Sequence, residues 1–138
     1  MFSFRSFKYV YDKEKALCNL RTALRKNGYF IVEVPNLLNP FYFLPYLLAP
    51  LIYHLSKGNL GKYFIVSEFY TKSAFKRNLE KAGFKVEEIM NLFFFPHFLY
   101  SKIQSRPILR VTHSIDSLFS NWFPRSLIFV AKKNDKVE

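Results

Sequence analysis

Ala16-Leu-Cys-Asn-Leu-Arg-Thr-Ala-Leu-Arg-Lys-Asn-Gly28 runs directly into Tyr29-Phe-Ile-Val-Glu-Val-Pro-Asn36, and this stretch decides the fold. Ala16, Leu17, Leu20, Ala23 and Leu24 recur at helical spacing, which predicts one apolar face. Asp12 stands where an N-cap is expected, and Arg21, Arg25 and Lys26 lie toward the end where cations complement the helix dipole. Gly28 is expected just past the helix end. Tyr29 to Val34 is apolar on both faces apart from Glu33, the pattern of an interior strand, and Pro35 ends it. The result is helix, tight turn, buried strand, then a loop at the carboxyl end of the strand. In open α/β sheets ligands bind at that end.

Outward from this unit, a second one follows. Thr71 is a predicted N-cap, Phe75, Leu79 and Ala82 form a helical stripe, and Gly83 closes it. Phe84 to Met90 is a predicted strand that opens with alternation at Phe84 and Val86. Ser126 to Ala131 is a final strand, and Lys132 to Glu138 a charged tail. Before the first helix, Met1 to Tyr11 is rich in Phe and Tyr, and alternation at Phe2 and Phe4 resembles the end of a strand. Two regions fit less simply. Phe41 to Tyr53 has no polar group except tyrosine hydroxyls and contains Pro45 and Pro50. It is shorter than the roughly 20 apolar residues a spanning helix needs, so it is expected to form a broken helix pair or a lid. Leu92 to Leu99 is again apolar, and the mixed stretch Ile103 to Pro124 is expected to hold a helix around Ser114 to Phe119. Repeats of fixed period and low-complexity segments are absent from the sequence.

Composition narrows the possible functions. With 138 residues, one domain is expected. Seventeen Phe and nine Tyr exceed what a core of this size needs, so some are surface anchors or belong to a face that more protein should cover. The 21 basic and 10 acidic residues leave a formal charge of +11, which favours anionic partners. Nucleic acid fits poorly, because the aromatics fall in apolar runs and are not interleaved with Lys and Arg as a stacking platform requires. The single cysteine, Cys18, excludes an internal disulfide and fits a reducing compartment. It is expected as a buried thiol and not a nucleophile. The amino end lacks a basic stretch followed by an apolar core and a cleavage site. His54, His97 and His113 are isolated from one another, and no spacing resembles a zinc site. Glu87 and Glu88 sit side by side on a strand, whose adjacent side chains point to opposite faces. There is no Gly-x-Ser-x-Gly elbow, no Walker loop and no Gly-x-Gly-x-x-Gly.

Taken in order, these pieces resemble the carboxyl-terminal half of class I S-adenosylmethionine-dependent methyltransferases. Ser3-Phe-Arg-Ser-Phe7, Tyr9-Val10 and Asp12-Lys-Glu-Lys-Ala-Leu17 are similar to the family's turn after its fourth strand and the entry to the next helix. Leu20 to Gly28 is similar to the helix that ends Lys-Pro-Gly-Gly, with Asn27 where the first Gly often stands, and Tyr29 to Asn36 to the fifth strand. Glu68-Phe-Tyr-Thr71, Leu79, Lys81-Ala-Gly-Phe84 and Val86 resemble the following helix and sixth strand, and Leu127 to Lys133 the closing strand. The resemblance covers nearly the whole chain. It lacks the family's Gly-rich loop after the first strand and the acidic residue that ends the second and holds the cofactor ribose.

The resemblance implies a partial doubly wound α/β sheet, with strands in the order five, seven, six and the last one antiparallel. It implies a single partial domain over residues 1–138, with a hydrophobic insert at about 37–66. S-adenosylmethionine is the implied cofactor, Ser3, Phe4 and Phe7 match the loop beside it, and Asn36 matches the region facing the methyl acceptor. No general base is implied, since methyl transfer can proceed by holding two reactants in line. The expected partner is the amino-terminal half or a second copy covering the open edge of the fifth strand. The chain alone is expected to be inactive and cytoplasmic. The alternative is a basic, non-catalytic module peripheral to an anionic membrane, inserting Phe41 to Tyr53 and Leu92 to Leu99.

Overall fold

A computed structural model describes residues 2–3, 7–58 and 68–134. In chain order these form β1 (Phe2–Ser3), a short 3-10 turn (Phe7–Tyr9), α1 (Lys13–Ala23), β2 (Tyr29–Pro35), α2 (Pro40–Leu55), α3 (Lys72–Lys81), β3 (Phe84–Leu92), α4 (His97–Lys102), α5 (Arg106–Ser120) and β4 (Ser126–Lys133). The sheet order is β1-β2-β4-β3. β1 runs parallel to β2, with Phe2 opposite Ile31 and Ser3 opposite Val32. β4 is antiparallel to both its neighbours, pairing Tyr29 with Lys132 on one side and Phe84 with Lys133 on the other. The expected order of the last three strands and the reversal of the final one are both present. The edge of β2 expected to be open is covered by β1 over those two residues.

α1 and α3 begin at side-chain caps. The Asp12 carboxylate accepts from the Lys15 N–H at 2.9 Å, and the Thr71 hydroxyl accepts from the Ala74 N–H at 3.2 Å. Phe30, Val32 and Val34 on β2 alternate onto the same face as Leu127, Phe129 and Ala131 on β4. Leu17 of α1 and Phe75 and Leu79 of α3 close over that face. Phe75 is the hub: its ring lies 5.7 Å from Phe7, 4.9 Å from Tyr70 and 5.0 Å from Phe129, centroid to centroid. On the opposite face of the sheet, Ile31, Ile128 and Val130 are only half-buried, and Tyr29 and Met90 are exposed.

Several expectations change. α1 stops at Ala23, and Leu24 turns extended to pack against the core. The left-handed residue of the turn is Asn27, at φ 58°. Gly28 is needed for a different reason, because a Cβ there would lie 2.8 Å from the Arg25 carbonyl oxygen. Cys18 is exposed, since Leu17 takes the buried position on that turn. α2 is one continuous helix and not a broken pair. Pro45 and Pro50 each remove one N–H, which frees the carbonyls of Phe41 and Tyr46. Both residues are exposed, so water can accept the loss. α5 is far longer than the helix expected at Ser114 to Phe119. In β3 a bulge falls between Val86 and Glu88. It lets Val86 and Ile89, three apart, both pack on the core, which a regular strand cannot do. It also leaves Glu87 and Glu88 both in solvent, so the rule that strand neighbours point to opposite faces does not hold there.

Gly83 does close α3, at φ 82°. A Cβ on it would stand 2.7 Å from Nε of Arg21, which lies across it. Gly83→Ala is therefore expected to cost about 1–2 kcal/mol through the left-handed backbone alone, read as a lower urea midpoint with an unchanged slope.

Candidate functional site

The antiparallel return of β4 brings three chain ends to one end of the sheet. Pro35, the last residue of β2, pairs with Ser126, the first of β4. Leu92, the last of β3, pairs with the same Ser126. The loop after β2, the loop after β3 and the turn before β4 therefore meet. This is the carboxyl end of β2, where the sequence places the ligand side.

Buried amides and a carboxylate tie these loops together. Asn36 is 4% exposed. Its Nδ2 donates to the Pro124 carbonyl at 2.8 Å, its Oδ1 accepts from the Leu38 N–H at 3.2 Å, and its own N–H donates to the Arg125 carbonyl at 3.0 Å. Asn39 is fully buried. Its Nδ2 donates to the carbonyls of Phe94 at 3.1 Å and Phe123 at 2.8 Å, while its Oδ1 caps α2 by accepting from the Phe41 N–H at 3.1 Å. Asp116 of α5 is 6% exposed, and one of its carboxylate oxygens accepts from the N–H groups of Phe94 and Phe95, both at 2.8 Å. Arg125 Nε donates to the Tyr42 hydroxyl at 2.8 Å. A ladder of rings runs through the same place: Phe41 stands 5.5 Å from Phe94, and Phe94 stands 5.2 Å from Phe119. Two backbone hydrogen bonds, Tyr70 N–H to Pro35 and Leu37 N–H to Tyr70, attach the start of α3 to the same end.

Next to this knot, Glu68 is held by Lys13 Nζ at 2.7 Å and by the Tyr70 hydroxyl. Burial alone would raise its carboxyl, but those two donors and the Lys13 charge outweigh it, and the group lies below its usual range. The Tyr100 hydroxyl is pushed well above the ordinary tyrosine value by burial first and by neighbouring Asp116 second. Among the described residues there is no cluster of His, Cys, Asp or Glu able to hold a metal. His113 lies against the Tyr100 ring and His54 against Tyr53.

The expected site residues fall in different places. Ser3 lies in β1, its backbone paired with Val32. Phe4 lies outside the described residues. Phe7 is 2% exposed, edge-on to Phe30 and Phe75, so its ring belongs to the core. Asn36 is at the expected end of β2, but its amide is committed to backbone groups and acts by holding the loop. Among the described residues, none of the glycines at 28, 58 and 83 follows a strand. The residues missed from sequence are Asn39, Asp116, Tyr42 and Arg125. Asn39 had a signal, an Asn directly before Pro40, the signature of a helix start. Asp116 had another, as the single acid between Ile89 and Asn134.

No family model and no curated protein matches the sequence. Solved structures do match its fold. One is an S-adenosylmethionine-dependent methyltransferase of Thermotoga maritima, a candidate histamine N-methyltransferase: TM-score 0.61, 16% identity, 96% of this chain and 54% of that one. A second is the complex between a methyltransferase activator of Haloferax volcanii and a candidate methyltransferase: TM-score 0.59, 15% identity, 96% and 53% covered. A third is an S-adenosylmethionine-dependent methyltransferase of Mesorhizobium loti: TM-score 0.54, 18% identity, 96% and 60% covered. The chain spans a little over half the length of each. With the strand order and the reversed last strand, these matches show the fold to be a partial Rossmann-like sheet of the kind found in S-adenosylmethionine-dependent methyltransferases, consistent with their carboxyl-terminal part.

Proposed function

We propose that this chain serves as the carboxyl-terminal half of an S-adenosylmethionine-dependent methyltransferase, and that an amino-terminal half supplies the Gly-rich loop and the ribose-binding acid. The observation that carries this is the sheet β1-β2-β4-β3, with β4 reversed. It reproduces one side of a doubly wound sheet, and among the described residues α1 and α3 pack on one of its faces. When bound, the cofactor supplies an electrophilic methyl group. This chain contributes the shape of the acceptor side: Asn36 and Asn39 fix the loop after β2, Asn39 ties it to the loop after β3, and Asp116 holds that second loop to α5. Ser3, the last residue of β1, and Phe4, next in the sequence, remain the candidates for contact with the cofactor. The amino-terminal half would continue the sheet from β1 and cover the half-buried face of Ile31, Ile128 and Val130. That one matched structure is a complex with an activator protein supports a protein partner in general.

The test is equilibrium binding of S-adenosylmethionine. The chain alone should show no saturable binding at micromolar cofactor. The same chain joined to the product of upstream DNA encoding a strand and a Gly-rich loop should bind it. Saturable micromolar binding by the monomeric chain would overturn the division of labour proposed here. Failure of the joined protein to bind would overturn the methyltransferase assignment itself.

A further inference from the structure

The end of the molecule that carries the knot also carries an extended apolar surface. α2 contains no Asp, Glu, Lys or Arg over Pro40–Leu55. Only Ala49 is fully buried on it, while Phe43, Leu44, Leu47, Leu51 and Leu55 stand 47–76% exposed. α5 is amphipathic in an unusual sense. It packs on the protein through Asp116, with Leu109 and Thr112 half-buried on the same side. Its apolar stripe points away: Ile108, Val111, Ile115, Leu118 and Phe119 recur at steps of three and four and continue to Trp122, each 40–76% exposed. The ring ladder Phe41–Phe94–Phe119 joins the two helices. An apolar surface this continuous on a soluble domain marks an interaction site.

Charge selects the occupant. From Val34 to Ser67 the sequence has no acid. From Ile89 to Asn134 its one acid is Asp116, buried and holding two backbone N–H groups. The same stretch carries Lys102, Arg106 and Arg110, all exposed, with the two arginines on the side of α5 away from the stripe. An apolar stripe ending in Trp, with Arg on the opposite face, is the pattern of a helix lying in a membrane interface. A protein half that continues the sheet would join at β1. α5 lies in the connection between β3 and β4, at the far edge of the sheet. No described helix is long and apolar enough to cross a bilayer.

We propose that α2 and α5 form a docking surface for an anionic lipid bilayer. It follows, resting on the methyltransferase reading, that the methyl acceptor is an amphiphile held in that bilayer with its polar part presented to the loop after β2. Compared with the two segments expected from sequence, α2 keeps its place. The Leu92 to Leu99 segment gives way to the α5 stripe, because Phe94 packs between Phe41 and Phe119.

Trp122 is the only tryptophan and stands 76% exposed, so it reports directly. The full chain is mixed with vesicles of phosphatidylglycerol and phosphatidylcholine, or of phosphatidylcholine alone. With the anionic vesicles, the protein should co-sediment and Trp122 emission should move to shorter wavelength, both fading as salt is raised. Arg106→Gln with Arg110→Gln should weaken partitioning on the order of thirty-fold, about five-fold for each basic residue near an anionic surface. Leu118→Glu should abolish the emission shift. Both variants alter only exposed side chains, and circular dichroism checks that each is folded. Emission and sedimentation indifferent to anionic vesicles would overturn the proposal. So would emission already at short wavelength without lipid in a particle of twice the monomer mass, which would show a second copy covering the surface. Neither readout involves S-adenosylmethionine, so lipid docking and the methyltransferase assignment can fail separately.

Discussion

Phe75→Ala should cost about 4 kcal/mol of folding stability, the range for emptying a fully buried aromatic site. The ring is wholly buried and touches three other rings, Phe7, Tyr70 and Phe129, which come from the opening turn, the start of α3 and β4. They cannot collapse into the void together, because each is anchored in a different element. Small domains have only about 5–15 kcal/mol in total, so the loss is a large share. Urea unfolding followed by far-ultraviolet circular dichroism should show the midpoint fall steeply. Phe75→Leu should recover a substantial part of it, since that change leaves a smaller cavity. Equal losses for the two would indicate that the ring contacts, and not the filled volume, carry the stability.

Asn39→Ala should cost about 3 kcal/mol, by a different route. It strands two carbonyls, those of Phe94 and Phe123, and uncaps α2 at once. Buried groups left without partners cost about 1–3 kcal/mol each, and a lost cap about 1 kcal/mol, with part of the sum relieved by water. Asn39→Asp separates these effects. It keeps the oxygen that caps Phe41 but sets a carboxylate against two carbonyl oxygens. At neutral pH it should be no more stable than Asn39→Ala. In acid, where a protonated carboxyl can donate to one carbonyl, it should regain ground. Hydrogen exchange at the Phe41 and Phe43 amides should rise in Asn39→Ala and rise less in Asn39→Asp. Unchanged exchange in both would show that the knot does not hold the start of α2.

The elements most legible in the sequence were those whose signals are local. Asp12 and Thr71 cap helices through their own side chains. The alternation of Phe30, Val32 and Val34 is read within one strand. What was harder to see depends on neighbours distant in sequence. Pro45 and Pro50 suggested a break, and only the exposure of the carbonyls they orphan makes one helix tolerable. α5 is rich in β-branched residues (Ile108, Val111, Thr112, Ile115) that lower helix propensity, so its apolar spacing was masked by composition. The bulge at Glu87 depends on Val86 and Ile89 both reaching one core. The loop that begins at Asn36 follows β2 at the strand end read from the sequence. Its other ties, from Asn39 to Phe94 and Phe123 and from Asp116 to Phe94 and Phe95, join residues that only the folded sheet brings together.

The position of β4 has a consequence for how the molecule is made. The last strand in the chain lies between two earlier ones, so Tyr29 waits for Lys132 and Phe84 for Lys133. Neither β2 nor β3 can complete its hydrogen bonds before β4 has been made. Contacts of such wide sequence separation form slowly, because the loops must close before anything rewards them. Until β4 leaves the ribosome, the apolar faces of α2 and the open strand edges are bare together, a state prone to aggregation. A nascent chain of this design carries both liabilities at once until β4 is in place.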